Sequence, residues 1–194
     1  MLKELLKEAM GWGLRCSGLG AALRAVFHRR RALVLVYHDP EAGVLTRHLN
    51  WLAGRYRFIS IETVVHAVES GDWSRVPRRA LAVTFDDGHR GNAALCGVLS
   101  RFDVQPVIYL CSQIVDSSRH FWWTEVPEDA ERLKTLSFDD FLARMSETTG
   151  YRPDKSYEDR QALDRAELAA LAPHASFGGH TRFHPILPRC SDAV

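Results

Sequence analysis

The stretch "AVTFDDGHRGN" (residues 82–92) places two adjacent carboxylates and a glycine directly after an apolar run. Neighbouring carboxylates repel each other, so the pair costs stability at a strand end unless a cation or a reaction uses it. Asp86 and Asp87 are therefore candidates for a functional site, and Gly88 suits a tight turn beside them. The alternative is a solvated turn, because Asp-Gly is a common turn dipeptide.

Working outward from this stretch, apolar runs predict five β-strands. Residues 32–38, 81–85 and 106–110 are continuously apolar rather than alternating, which is typical of parallel strands covered on both faces. Residues 57–60 and 175–179 are weaker strand candidates.

Helical patterns separate these runs. Apolar residues at helical spacing follow Ser60 and Ser137, and Asp164 with Glu167 three residues later is a further helix-start signal. Strands alternating with helices favour right-handed βαβ units and an α/β fold with a parallel sheet, either open or closed into a barrel. Five strands are too few to close a barrel, and an insertion at about 113–163 separates the last two.

The length and charge of the chain predict two parts. The 194 residues, 46% of them hydrophobic, are enough for one sizeable core, which we place in residues 32–194. Residues 1–31 form a basic N-terminal helix and segment, with seven Lys/Arg against two Glu, whereas the whole chain has a net charge of +1. This segment is either a solvated helix and linker or a peripheral contact with anionic lipid. The near-zero net charge and the absence of a binding motif exclude a nucleic-acid partner.

Cysteine spacing and the lack of targeting signals bear on the cellular location of the protein. The four cysteines show no CxxC spacing, so the sequence does not specify a disulfide framework. Charged and polar residues interrupt the N-terminus where a secretory signal would be apolar, and no run reaches about 18 apolar residues. We therefore expect a cytoplasmic or membrane-associated protein.

Two histidines spaced four residues apart, His180 and His184, follow the fifth predicted strand. Alone such a pair is more often structural. Functional groups of parallel α/β folds, however, collect at the carboxyl ends of the strands, where Asp86, Asp87 and His38 also lie. Two imidazoles and one carboxylate can bind a divalent ion and leave a position open, while the ion keeps the second carboxylate ionised and able to accept a proton. For His38, a buried structural histidine is an equal alternative.

The remaining aromatic and histidine residues carry weaker signals. The triplet at 121–123, Phe-Trp-Trp, can stack on sugar rings, but packing of the insertion onto the body is the favoured interpretation. Three further histidines are interpreted as surface or loop residues: His89, His120 and His174.

The two candidate motifs resemble those of the polysaccharide deacetylases with NodB homology, also called carbohydrate esterase family 4. Residues 84–88 match the first motif of the family, TFDDG, in full, and residues 180–184, HTRFH, match the second, H-[ST]-x-x-H. The segment "LVLVYHDP" (33–40) also looks like the subgroup whose first strand ends in Tyr-His.

This resemblance implies a distorted (β/α) barrel with a metal-dependent amide hydrolase site. It implies that Asp87, His180 and His184 bind Zn²⁺ or another divalent transition metal. It further implies that Asp86 is the general base, accepting a proton from the water that attacks an N-acetyl or formyl carbonyl. Thr181 would hydrogen-bond behind the ligands, and His38 would lie at the rim near the metal or substrate.

The later motifs of the family, including the one that supplies its general acid, have no counterpart in the 194 residues. We therefore expect an incomplete barrel that lacks the closing C-terminal strands, and a truncated N-deacetylase. Its substrate would be an N-acetylated, amino-sugar-containing polysaccharide or a lipid-linked glycan. The alternatives are a catalytically inactive fragment or metal- or glycan-binding module, and a hydrolase of another bond such as an ester or cyclic amide.

Overall fold

The structure is a computed structural model that describes residues 2–20, 22–23 and 31–191. The strands are β1 (Ala32–Tyr37), β2 (Arg57–Phe58), β3 (Ala80–Phe85), β4 (Val107–Leu110) and β5 (Ser176–Gly179). The helices are α1 (Leu2–Cys16), α2 (Ala42–Ala53), α3 (Ile61–Ser70), α4 (Cys96–Phe102), α5 (Ala130–Leu133), α6 (Phe138–Thr149) and α7 (Arg165–Leu171). Short 3₁₀ turns lie at Arg90–Leu95, Trp122–Thr124 and Leu187–Arg189.

All five strands belong to one parallel sheet. Its order is β1-β3-β4-β5, and β2 pairs with the start of β3 whereas β4 pairs with its end. Among the described residues the sheet stays open, because β1 and β5 do not meet. The α/β class and each predicted strand are confirmed, with boundaries shifted by at most two residues.

The predicted helix starts are also confirmed. The Ser60 hydroxyl accepts a hydrogen bond from the Thr63 amide, and the Ser137 hydroxyl accepts one from Asp140. Asp164 and Glu167 form a reciprocal capping box at the start of α7. Such side chains satisfy amides that have no partner within the helix, which is why short polar residues begin these elements.

The main core lies between the sheet and three helices. Side chains of β3 and β4 pack against α2, α4 and α7, with these residues buried: Leu45, Leu49, Val83, Phe85, Leu99, Ile108 and Leu171. All six residues of β3 are buried, as predicted for the central strand. The prediction that both faces of the strand are covered was wrong for β1, because Val34 and Val36 are 47% and 48% exposed. The described residues cover the face of β1 that carries these two valines only in part.

The insertion after β4 has a core of its own. Trp122 is fully buried and packs edge-on against Phe141, beside Met145 and Tyr151. Packing, the favoured interpretation of the aromatic triplet, is therefore confirmed for Trp122.

His120 ties the insertion together, a role that the sequence interpretation did not include. It lies in a loop, as interpreted, but it is buried, and its two ring nitrogens lie 2.8 Å from a Glu125 oxygen and 2.9 Å from an Asp159 oxygen. Its ring stacks on Tyr157 with 3.8 Å between centroids. Sequence spacing did not indicate this role because the two carboxylates are 5 and 39 residues away.

Of the basic segment predicted for residues 1–31, the structure describes α1 and a few residues after it. Arg24, Arg29 and Arg30 lie outside the described residues. No described helix combines the length and the apolar character needed to cross a bilayer. The boundary between this segment and the main domain, which we place at residue 31, stays a prediction.

Two consecutive glycines in β5 provide a matched test of the sheet packing. A Cβ added at Gly178 would lie 2.6 Å from the Tyr109 ring on β4, whereas one at Gly179 would meet no atom within 4 Å. We expect Gly178→Ala to lower the free energy of unfolding by about 1–3 kcal/mol through overpacking, and Gly179→Ala to change it by less than about 0.5 kcal/mol. Urea unfolding of both variants measures the difference. Equal stabilities would contradict the close approach of β4 and β5 at Gly178.

Candidate metal centre

The carboxyl ends of three neighbouring strands build the site. Asp87 follows β3 by two residues, and His180 follows β5 directly. Main-chain hydrogen bonds continue the sheet past the strand ends: the Cys111 amide donates to the Asp87 carbonyl (3.3 Å), and the His180 amide donates to the Leu110 carbonyl (2.8 Å). The residues that carry the two sequence motifs therefore lie at one edge of the sheet, as expected from parallel pairing.

Asp87, His180 and His184 converge on one point. The Nε2 atoms of His180 and His184 lie 3.4 and 3.5 Å from Oδ1 of Asp87. The ligand atoms of all three residues lie within 4.8 Å of one another. Zinc holds nitrogen and oxygen ligands at about 2.0–2.2 Å in a tetrahedron, which separates two ligand atoms by about 3.4 Å. The three side chains therefore fit a divalent ion with an open coordination position.

His89 holds the other oxygen of Asp87. Its Nε2 lies 3.2 Å from Asp87 Oδ2, and since a carboxylate only accepts, the imidazole donates this hydrogen bond. The ring is fixed by Phe121, 4.5 Å away between centroids. His89 lies in the loop after β3, as interpreted, but its contact with Asp87 was not predicted. Its position two residues after Asp87, across a glycine turn, is the only signal in the sequence for this contact.

Left-handed backbone conformations occur at the site residues themselves. Asp87, Thr181 and His184 have φ values of 73°, 66° and 60°, a region that costs free energy for residues other than glycine. Gly88 has φ 76°, and a Cβ there would lie 2.6 Å from the Leu110 side chain. The turn after β3 therefore requires glycine at this position, as predicted.

The loop after β5 is held by hydrogen bonds from two directions. Thr181 Oγ1 accepts from the His184 amide (3.0 Å), and the Trp122 indole N–H donates to the His184 carbonyl (3.0 Å). Phe183, which stands between Thr181 and His184 in the sequence, is buried. Thr181 thus supports the backbone of His184, while the buried Nδ1 of His184 has no hydrogen-bond partner among the described residues.

The electrostatics of the centre keep Asp87 ionised. Burial acts to raise the pKa of Asp87, but the hydrogen bond from His89 and the charges of His184, His89 and His180 outweigh it, so the pKa lies below the ordinary value. Burial is also the largest influence on His184, and it lowers the pKa of that imidazole against the opposing charge of Asp87. An ionised carboxylate and a neutral imidazole are the forms that bind metal.

Cys111 lies next to the centre, but it is not among the three residues whose ligand atoms converge. Burial first, and then the charges of Asp87 and Asp86, raise the pKa of its thiol to about 12. The sulfur lies 4.0 Å from Asp87 Oδ1 and 3.5 Å from the His180 carbonyl. This buried, protonated thiol acts as a packing residue and weak donor.

Asp86 and His38 lie near the three converging residues without joining them. Asp86 is half-buried, and its charge acts on both His184 and Cys111. Its assignment as general base stays a prediction. His38 is exposed at the rim, where its carbonyl accepts a hydrogen bond from the buried Asn92 amide (2.9 Å). The alternative of a buried structural imidazole at position 38 is therefore excluded.

A cleft of about 430 Å³ opens beside the centre and falls within the usual size range of small-ligand sites. One wall carries His38, Asp87 and His184, and the other comes from the insertion through Trp123 and Lys134. Trp123 is half-buried and meets His184 edge-on at 4.9 Å. Two members of the aromatic triplet therefore differ in their surroundings: Trp122 packs within the insertion, and Trp123 faces the cleft.

Solved structures match this arrangement of strands and helices. The deacetylase PplD of Streptococcus pyogenes, solved in complex with acetate, has a TM-score of 0.52 and 15% identity over 82% of this chain and 60% of that one. A Bacillus anthracis protein assigned as a polysaccharide deacetylase has a TM-score of 0.51 and 15% identity, over 83% of this chain and 42% of that one. The fold is that of polysaccharide deacetylases.

A polysaccharide deacetylase of Bacillus cereus gives a TM-score of 0.47 at 16% identity, covering 83% of this chain and 42% of that one. The chain thus spans about half the length of the solved chains it matches. No family model matches the sequence, and no curated protein does. Likeness at this identity concerns the fold, because one fold hosts many activities.

Removal of a ligand tests the metal centre directly. We expect Asp87→Ala and His184→Ala each to weaken Zn²⁺ binding by more than about 100-fold, since loss of an outer partner alone costs about 10–100-fold. Isothermal titration calorimetry measures the affinity, and His66→Ala, which changes an exposed histidine on α3, is the matched control. Stoichiometric binding by both ligand variants would contradict the proposed ligand set.

Thiol reactivity tests the environment of Cys111. With a pKa of about 12 and no exposed surface, Cys111 should resist alkylation at pH 8, whereas the exposed Cys16 should react readily. Mass spectrometry of the native protein after treatment with iodoacetamide locates the modified residues. Equal labelling of the two cysteines would show that the centre is open to solvent.

Proposed function

We propose that this chain carries the metal-binding half of an N-deacetylase acting on amino sugars. The substrate would be an N-acetylated polysaccharide or a lipid-linked glycan, from which acetate is released. The carrying observation is the convergence of Asp87, His180 and His184 within 4.8 Å beside an open cleft. The match to the TFDDG and H-[ST]-x-x-H motifs and the fold shared with PplD support the same activity.

The residues present fit a divalent metal, and Asp87, His180 and His184 would hold it. When bound, such an ion supplies a Lewis acid that polarises a carbonyl and lowers the pKa of water. Zinc is the proposed ion because nitrogen and carboxylate ligands in this number are typical of its catalytic sites.

The protein residues would then position the substrate and move one proton. Asp86, half-buried beside the centre, would accept a proton from the water that attacks the amide carbon. The hydrogen bond from His89 would keep Oδ1 of Asp87 turned toward the two imidazoles. Trp123 would provide an apolar face for the sugar ring at the cleft wall, and His38 would contact the substrate at the rim.

The choice of amide over other bonds rests on the resemblance to the deacetylases. An ester would place the same carbonyl in the same cleft, so an esterase remains the competing hydrolase. The family motif that supplies the general acid has no counterpart in the sequence, and a leaving alcohol would need that proton less than a leaving amine. For that reason the measurement below includes an aryl acetate.

Replacing the proposed base tests the activity. We expect the Zn²⁺-loaded chain, in which no general acid is assigned, to release acetate from N-acetylglucosamine oligomers slowly, and Asp86→Asn to lower this rate further, by up to the about 10²–10⁴-fold that a general base contributes. Zn²⁺ affinity should change by less than about threefold, since Asp86 is not among the ligands. Enzymatic determination of acetate and calorimetry with Zn²⁺ measure the two quantities.

Three results would contradict the proposal in different ways. Equal rates for the two proteins would remove Asp86 as base. Zinc and oligosaccharide binding without acetate release would favour a non-catalytic binding module. Release from an aryl acetate that N-acetylglucosamine oligomers do not inhibit would favour an esterase.

A further inference from the structure

The N-terminal helix exposes large apolar side chains. In α1, Leu6 is 55% exposed, Met10 68% and Trp12 70%. Single exposed apolar residues are ordinary, but several on one helix mark an interaction surface. Leu19 and Leu23, just beyond the helix, are also 46% and 45% exposed.

The apolar and charged residues of α1 occupy different sides. At 3.6 residues per turn, Leu6 and Met10 lie one turn apart, and Trp12 borders the same half of the helix. Lys3, Lys7 and Glu8 project from the rest of the circumference. A helix with an apolar half, a charged half and a tryptophan at the border has the composition of one that lies in a membrane interface.

The rest of the protein contacts the far end of this helix. Leu14, Gly18 and Gly20 line a cavity of about 830 Å³ together with residues of β1 and α2, among them Tyr37 and Arg47. Leu14 follows Met10 by one turn and lies at the border between the apolar and the charged side, next to Lys3 and Lys7 in angle. The body therefore approaches α1 near this border, at the C-terminal end of the helix, and leaves Leu6, Met10 and Trp12 exposed.

The charge of the segment favours one kind of partner. Residues 1–31 contain seven Lys/Arg and two Glu, with three consecutive arginines at 29–31. Clusters of this kind are attracted to the negative surface of membranes that contain anionic lipids. Two copies of this basic segment facing each other would repel, which favours an anionic lipid surface over pairing of two α1 helices.

We propose that α1 is an interfacial membrane-binding helix whose uncovered apolar side inserts into a bilayer containing anionic lipid. Leu6, Met10 and Trp12 enter the boundary between headgroups and acyl chains, and the basic residues that accompany them contact lipid phosphates. This binding requires neither the metal nor deacetylation.

Vesicle co-sedimentation tests the proposal. We expect the chain to bind vesicles of phosphatidylcholine with about 30 mol% phosphatidylglycerol more tightly than pure phosphatidylcholine, and to lose affinity when salt rises from about 0.05 to 0.5 M. The double variant Leu6→Glu/Met10→Glu should bind at least about tenfold more weakly. The matched control is Val65→Glu/Val68→Glu, which adds the same charge at two exposed valines on α3 and should bind like the original protein.

A second measurement locates the contact. Brominated acyl chains should quench part of the tryptophan fluorescence in the original protein, and this part should vanish in Trp12→Phe. Absence of vesicle binding, or equal loss in both double variants, would overturn the proposal. So would a vesicle-independent dimer that Leu6→Glu/Met10→Glu converts to monomer, because the apolar side would then serve self-association.

The test is separable from the proposed function. Asp87→Ala, which should lose Zn²⁺, is expected to keep its vesicle affinity. Membrane binding without acetate release would therefore leave this inference standing while the proposed function fails, and acetate release without vesicle binding would do the reverse.

Discussion

The attraction between one desolvated carboxylate and three imidazoles organises this molecule. Asp87 is 1% exposed, and a buried carboxylate is costly unless cations or donors surround it. His89 satisfies one oxygen, while His180 and His184 face the other at distances too long for good hydrogen bonds. Since among the described residues only the weak Cys111 thiol donor also reaches this oxygen, the weakly satisfied side of Asp87 is the strongest physical indication that the centre is arranged for an ion. The order of the strands, the turns and the insertion all serve to bring these groups together.

The cost of that arrangement lies in the backbone. Three residues at the centre adopt left-handed conformations without being glycine, and each is held by hydrogen bonds from distant parts of the chain. The Cys111 amide holds the Asp87 carbonyl, and Ser112 holds that of Thr181. Strain of this kind persists where the surroundings over-determine the geometry, which is common at functional sites.

Much of this could be predicted from local sequence. Continuous apolar runs identified the strands, and side-chain caps such as Ser137 identified the helix starts, because both signals act between near neighbours. Parallel pairing then placed Asp87 and His180 at one edge. Local signals were not enough where contacts join distant residues: Val34 is about half exposed because the described residues cover that face of β1 only in part, and the contacts of His120 come from carboxylates in two separate segments. The contact of His89 with Asp87 depends on a left-handed turn that a residue pattern does not encode.

The hydrogen bond from Trp122 to His184 has a thermodynamic consequence. The indole lies in the core of the insertion, whereas the carbonyl belongs to the loop that carries a candidate ligand. Local opening of the insertion would break this bond and release the loop. The free energy of opening the insertion and that of opening the loop are therefore coupled. By linkage, any ligand that prefers the closed loop must also protect the insertion from opening, by an amount set by its concentration relative to its dissociation constant. Amide hydrogen exchange within α6, far from the carboxylate itself, would therefore report on occupancy of the cleft edge.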